Sequence, residues 1–165
     1  MQPLKLIKYS DPKLKKPCTL VRRQSNWDEI RQLIKLMYKT MHVYRGFGLS
    51  APQVGVSLRI IVVDDQGGNK YAMINPEIVS FDEKIDQEET CISYPGVTGY
   101  TKRYNKIVVS YLDLDAKQQK IQVKGHISAL IQHEIDHLDG ISYTNRMSKL
   151  HSDKINKKMK KKYGF

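Results

Sequence analysis

Cysteine is scarce: the 165 residues contain two, Cys18 and Cys91, too few for a disulfide scaffold in a chain long enough to build its own core. No apolar run approaches the roughly 20 residues that cross a bilayer. The opening MQPLKLIKYSDPKLKKPC likewise lacks the unbroken apolar segment of a secretory signal. We therefore expect a cytoplasmic protein without a membrane partner, in a bacterial or phage-infected cell. Acidic residues are outnumbered, 17 against 28 Lys and Arg, leaving a net charge of +11. Such an excess favours polyanions through counterion release, but Lys154, Lys157, Lys158, Lys160, Lys161 and Lys162 concentrate much of it near the C-terminus. No internal repeat and no linker divides the chain. We expect residues 1–165 to form one catalytic domain with one active site, about 148–165 being a basic C-terminal helix or tail.

What is present alternates between helical and strand periods. After an irregular, proline-punctuated N-terminus, Ser25 followed by Asp28 resembles a capping box. Trp27, Ile30, Leu33, Ile34, Met37, Met41 and Tyr44 then recur at helical spacing. This predicts a helix from about Asn26 to Arg45, stopped by Gly46. The segment GFGLSAPQVG reads as a shaped loop able to pass close to a ligand. Leu58–Val63, Tyr71–Ile74, Ile78–Phe81, Ile107–Leu112 and Gln119–Val123 read as antiparallel strands separated by DDQGGN, NP and DLDAK turns. A second helix should begin after Gly125, bury Ile127, Leu130, Ile131, Ile135 and Leu138, and end at Gly140. Ile155, Met159 and Tyr163, four apart among lysines, predict a weakly apolar third helix from about Ser148 to Tyr163.

The chemistry concentrates in His133-Glu134-Ile135-Asp136-His137. Spacing of four puts both imidazoles on one helical face within reach of a single metal ion, with Glu134 beside them to take a proton from a water. The plain alternative is coincidence, which the apolar flanks weaken: a buried helix does not keep unpaired polar groups without reason. A catalytic site of this kind needs a third protein ligand and an open position. No glutamate follows Glu134, which removes the thermolysin-like arrangement, and Tyr143 stands where HExxHxxGxxH requires histidine. Cys91, in EETCISYPG, offers a thiolate suited to zinc or ferrous iron. Cys18 competes, but it sits in a lysine-rich stretch without a second motif and reads as a small buried hydrophobe.

Three segments together, GFGLSAPQ, ETCIS and QHEIDH, resemble in order and spacing the three motifs of the peptide deformylase family, the second usually written EGCLS. The resemblance covers nearly the whole chain. It implies an α+β fold in which antiparallel sheets wrap around the central HExxH helix, with an N-terminal helix before it and the basic helix after it. It also implies a metal-dependent hydrolase that removes the N-formyl group from the initiator methionine of nascent polypeptides. Cys91, His133 and His137 would hold one divalent metal, physiologically Fe2+, with Zn2+, Ni2+ or Co2+ able to replace it. Hydroxide activated there would attack the formyl carbon, with Glu134 as general base and then acid, while Gln53 and the backbone N–H of Ile92 receive the developing charge. Gly46, Phe47 and Gly48 would pair with the substrate backbone. Phe47, Ala129, Leu130 and His133 would line the methionine pocket, although ordinary core packing also explains Phe47, Ala129 and Leu130. Glu89, if buried, needs a cation, for which Arg103 is the candidate with Asp136 sharing it; a surface salt bridge is the duller possibility.

The chain departs from the family pattern in places. Ser50 for alanine and Ile92 for leucine are conservative. Thr90 replaces glycine directly before Cys91, and a β-branched residue there conflicts with any need for positive φ. Gly96, Thr98 and His126 change the substrate mouth, so preferences beyond methionine should differ. We expect a monomer acting on N-formylmethionyl peptides, with ribosome contact through the C-terminal lysines. Two other readings compete. A ribosome- or nucleic-acid-binding module with a structural metal site would need a fourth ligand. A metalloprotease would cleave unformylated peptides.

Overall fold

The computed structural model describes residues 2–164. Those residues include three α-helices: α1 (Trp27–Val43), α2 (Gly125–Leu138) and α3 (Lys149–Tyr163). They also include seven strands: β1 (Gly48–Ser50), β2 (Ile60–Asp64), β3 (Lys70–Phe81), β4 (Lys84–Cys91), β5 (Tyr94–Tyr104), β6 (Lys106–Leu112) and β7 (Gln118–Lys124). In β2, Ile60, Ile61, Val62 and Val63 are fully buried in succession, which requires cover on both faces of the sheet. Ile60 and Val62 pack among Ile30, Ile34, Met37 and Met41 of α1. Ile61 and Val63 point the other way, to Ile131, Ile135 and Leu138 of α2, as the two-residue period of a strand dictates.

The sheet built around β2 has the order β1-β2-β3-β6-β7, with antiparallel neighbours throughout, and β4 and β5 form a separate antiparallel hairpin. Helix α2 packs on β1 and β2 on one side and on β5 on the other, so every residue from Ile131 to Leu138 is buried. The expected α+β architecture, antiparallel sheets around the HExxH helix, is present. No helix among the described residues is long and apolar enough to cross a membrane.

Several local expectations change. The N-cap of α1 is Asn26, whose side chain accepts from the N–H groups of Asp28 and Glu29; Ser25 instead accepts from the Arg22 N–H at 3.2 Å. The helix is closed by Arg45, at φ 55°, rather than by Gly46. The GFGLSAPQVG segment is ordered structure, β1 followed by a 3-10 turn over Ala51–Val54. The expected strands Tyr71–Ile74 and Ile78–Phe81 are one strand, bent where Asn75 takes φ 52°. The Asn75 side chain secures that bend by bonding both the N–H and the C=O of Val21, each at 2.9 Å. Both strands of the β4–β5 hairpin were unforeseen. Helix α3 begins at Ser148 as its N-cap and is no loose tail, because buried Met159, with Ile155 and Tyr163, packs against Tyr94, Val97 and Tyr143.

Candidate metal centre

Cys91 is the last residue of β4, and a two-residue turn, Ile92–Ser93, leads directly into β5 at Tyr94, its partner across the hairpin. That turn carries the thiol to the face of α2 where His133 and His137 project. The ligand atoms of Cys91, His133 and His137 all lie within 4.8 Å of one another. The Cys91 Sγ is 3.3 Å from His137 Nε2, which is 3.2 Å from His133 Nε2. One sulfur and two imidazole nitrogens aimed at a common point form a donor set that zinc or ferrous iron accepts. Burial, helped by neighbouring His133, holds the His137 imidazole well below its usual pKa, leaving it neutral as a ligand must be. Burial opposes charge on His133 too, but there the Cys91 and Glu89 contacts prevail and raise its pKa well above the usual value. Cys18 lies apart, packed among Ile61, Ile131 and Leu138, and burial pushes its thiol pKa up.

A chain of buried polar groups fixes the ligands from behind. Glu89, two residues before Cys91 on β4, accepts from His133 Nδ1 at 2.6 Å, from Arg103 Nε at 2.6 Å and Nη2 at 3.0 Å, and from the Thr101 hydroxyl. With its Nδ1–H donated, His133 turns Nε2 toward the cluster. Burial alone would push the Glu89 carboxyl up; bonds from His133 and Arg103 outweigh it and hold the pKa at about 2. Its contribution to folding is therefore complete above the ordinary carboxylate pKa and fades as pH falls toward 2. Arg103, 1% exposed, also donates to Asp136 Oδ2 at 2.6 Å. Arg146 grips the same carboxylate, Nε donating to Oδ2 at 2.5 Å and Nη2 to Oδ1. Arg103→Leu leaves Glu89 and Asp136 buried without that cation and should destabilise the fold by about 3–5 kcal/mol, read as a fall in the urea midpoint. An unchanged midpoint would contradict this arrangement.

Glu134 stands beside the cluster, 2% exposed, and its Oε2 is a buried side-chain oxygen with no hydrogen-bond partner among the described residues. Burial pushes its carboxyl up to about 7 against the pull of His133. A Cβ at Gly48 would lie 2.5 Å from Glu134 Oε1 and 2.9 Å from Leu130 Cδ1, so only glycine lets β1 approach the carboxylate this closely. Gln53, 1% exposed, is held by its Oε1, which accepts from the Ser50 N–H and hydroxyl, both at 2.9 Å. Its Nε2 donates to Ser93 Oγ at 3.2 Å and sits 3.5 Å from Cys91 Sγ. The Ile92 N–H has no partner among the described residues. These groups border a cleft of about 180 Å³ that also meets Gly46, Phe47, Ala129, Leu130 and His126. Phe47 is 42% exposed and stands at its rim, whereas Ala129 is buried.

Thr90 lies in β4 and is not among the residues at positive φ; the positive φ in this hairpin belongs to Gly96, at 70°. The β-branched replacement therefore meets no strain there. Sequence reasoning missed Ser93, Thr101, Gln132 and Arg146. Gln132 clamps β5 to α2 through both the N–H and the C=O of Tyr104, at 3.0 and 2.8 Å. Thr101 and Arg103 are two apart on one strand, so a recognised β5 would have placed both on the face toward Glu89.

The polypeptide deformylase family model matches residues 3–153. A peptide deformylase of Endomicrobium trichonymphae is 39% identical over 164 residues, covering 98% of this chain and 96% of that one. A crystal structure of a peptide deformylase from Legionella pneumophila superposes with a TM-score of 0.91 at 34% identity, covering 97% of this chain and 95% of the other. The peptide deformylase of Ehrlichia chaffeensis in complex with actinonin gives 0.90 at 35%, covering 99% of each. With a matched family model over nearly its whole length and relatives of this similarity, the chain belongs to the peptide deformylase family of enzymes.

Proposed function

We propose that residues 1–165 form one catalytic domain, monomeric and cytoplasmic, in which Cys91, His133 and His137 hold one divalent ion, ferrous in the cell. As a peptide deformylase the chain acts on the formyl group of nascent peptides; the metal dependence and the residue roles are our reading. The observation that carries it is the partnerless, buried Glu134 oxygen beside a three-ligand cluster. No fourth His, Cys, Asp or Glu joins that cluster among the described residues, which favours an open site over a structural one.

When bound, the ion supplies Lewis acidity that makes water nucleophilic near neutral pH. Glu134 takes the proton of the attacking water and returns it to the departing amine; a carboxyl raised to about 7 by burial is suited to both transfers. Gln53 Nε2 and the Ile92 N–H donate to the formyl oxygen as charge develops on it, from positions fixed before the reaction. Gly46, Phe47 and Gly48 offer a strand edge to the substrate backbone, and Ala129, Leu130 and His133 receive the methionine side chain, with Phe47 at the rim. Glu89, Arg103 and Asp136 hold His133 in orientation. The exposed lysines of α3, from Lys154 to Lys162, are the proposed contact with ribosomal RNA.

The test is release of formate from formyl-Met-Ala-Ser, with unformylated Met-Ala-Ser as control. Formate without peptide-bond cleavage is expected; cleavage of the control would mean a protease instead. Gly48→Ala puts a methyl group on Glu134 and Leu130 and should lower turnover on the order of 100-fold with the metal retained. Turnover within a few-fold of the unaltered protein would contradict the close approach of β1.

A further inference from the structure

One cation at the mouth of the cleft takes no part in the chemistry above. Arg45 borders the cleft and is exposed, and its guanidinium has no hydrogen bond or ion pair among the described residues. Its backbone is in the left-handed region, φ 55°. It is the residue just past the end of α1 in a closing motif where the Arg45 N–H bonds the His42 carbonyl at 3.0 Å and the Gly46 N–H bonds that of Met41 at 2.9 Å. Glycine or asparagine takes that conformation at little cost and a long side chain does not. The chain thus presents a charge at a position where the backbone disfavours it, and strain of this kind clusters at ligand-contacting sites.

The register of β1 gives that charge a target. The Phe47 carbonyl accepts from the Asp64 N–H at 2.8 Å, so alternation turns the Gly48 peptide groups to the other edge, which no strand among the described residues covers; the Gly46 N–H is held by Met41 and leaves only its carbonyl for a ligand. Strand β1 runs toward the cluster, since Ser50 at its end bonds Gln53 and Gln53 reaches Cys91. A peptide with its formyl end at the cluster, lying along that edge, runs the opposite way, toward Arg45. At about 3.4 Å per residue its third residue comes level with Gly46 and Arg45, on the face it shares with the first. Across the cleft, the exposed Glu88 carboxylate accepts from the Tyr100 hydroxyl at 3.1 Å, so the mouth carries one charge of each sign, with Arg45 on the β1 side where the peptide's third residue arrives.

We infer that Arg45 is a specificity residue that favours an acidic side chain at the third position of the formylated peptide. The inference rests on the deformylase reading, and one experiment separates the two. The ratio of kcat/KM for formyl-Met-Ala-Asp to that for formyl-Met-Ala-Lys is measured on the metal-loaded protein, so that the active fraction cancels. At low salt the ratio should be about three to ten, a solvent-exposed charge effect counted for both peptides, and it should approach one at 1 M salt, where the screening length is about 3 Å. Arg45→Glu should invert the ratio and Arg45→Lys should keep it above one. Equal rates with the two peptides, or a ratio that Arg45→Glu leaves unchanged, would overturn the role of Arg45 alone. No formate from either peptide would overturn the deformylase reading and this inference with it.

Discussion

Glu134→Gln should slow formate release by about 10²- to 10⁴-fold, the range that general acid–base catalysis supplies, while the protein keeps its fold and its metal. Glutamine has nearly the shape of glutamate but cannot accept the proton of the attacking water. Little structure is at stake, because Glu134 Oε2 has no hydrogen-bond partner to lose among the described residues. Burial already disfavours the charged carboxylate, holding its pKa at about 7, so the neutral amide should leave the melting temperature equal or higher. The checks are kcat, metal content and a thermal melt on one preparation. A variant that retains turnover within tenfold would remove Glu134 from the proton transfers. A variant that loses metal along with activity would make it a structural group.

Cys91→Ser should cost more than about 100-fold in metal affinity and remove turnover with it. Loss of a residue that merely supports a ligand already costs about 10–100-fold, and here one of three converging donors disappears. The serine oxygen is a poor substitute, because a hydroxyl does not ionise at neutral pH as a thiol beside a cation does. Cys18→Ser is the contrast. Its side chain packs in the core among Ile61, Ile131 and Leu138, so the expected effect is a modest loss of stability with the metal retained. Metal bound per chain after dialysis decides between them, and loss in the Cys18 variant but not in the Cys91 variant would reverse the assignment.

The parts of this molecule that were legible in its sequence are those where burial and period agree. Helix α2 was visible because its apolar residues recur at helical spacing on both sides of the two histidines. Strand β2 was visible because four consecutive apolar residues face cover on both sides. The β4–β5 hairpin was not, for a reason tied to function. Its inward positions carry Glu89, Thr101 and Arg103 beside the apolar Tyr94 and Val97, so the apolar and polar alternation that normally marks a strand is interrupted by polar residues on the buried face. The ligand cysteine could be chosen from chemistry while the element carrying it stayed hidden. Arg146 was illegible for another reason: its partner Asp136 is ten residues away across the end of α2, and no local period announces such a contact. Asn75-Pro76 misled because a turn signal in sequence can also be a bend within a strand, held here by side-chain bonds to Val21.

The most direct test of a one-metal deformylase is a titration of the chelator-stripped protein with ferrous iron under anaerobic conditions, following formate release from formyl-Met-Ala-Ser against metal bound. Activity should rise in proportion to bound metal and break sharply at one ion per chain. Substantial turnover before any metal is added, or a fully loaded protein that releases no formate, would contradict it.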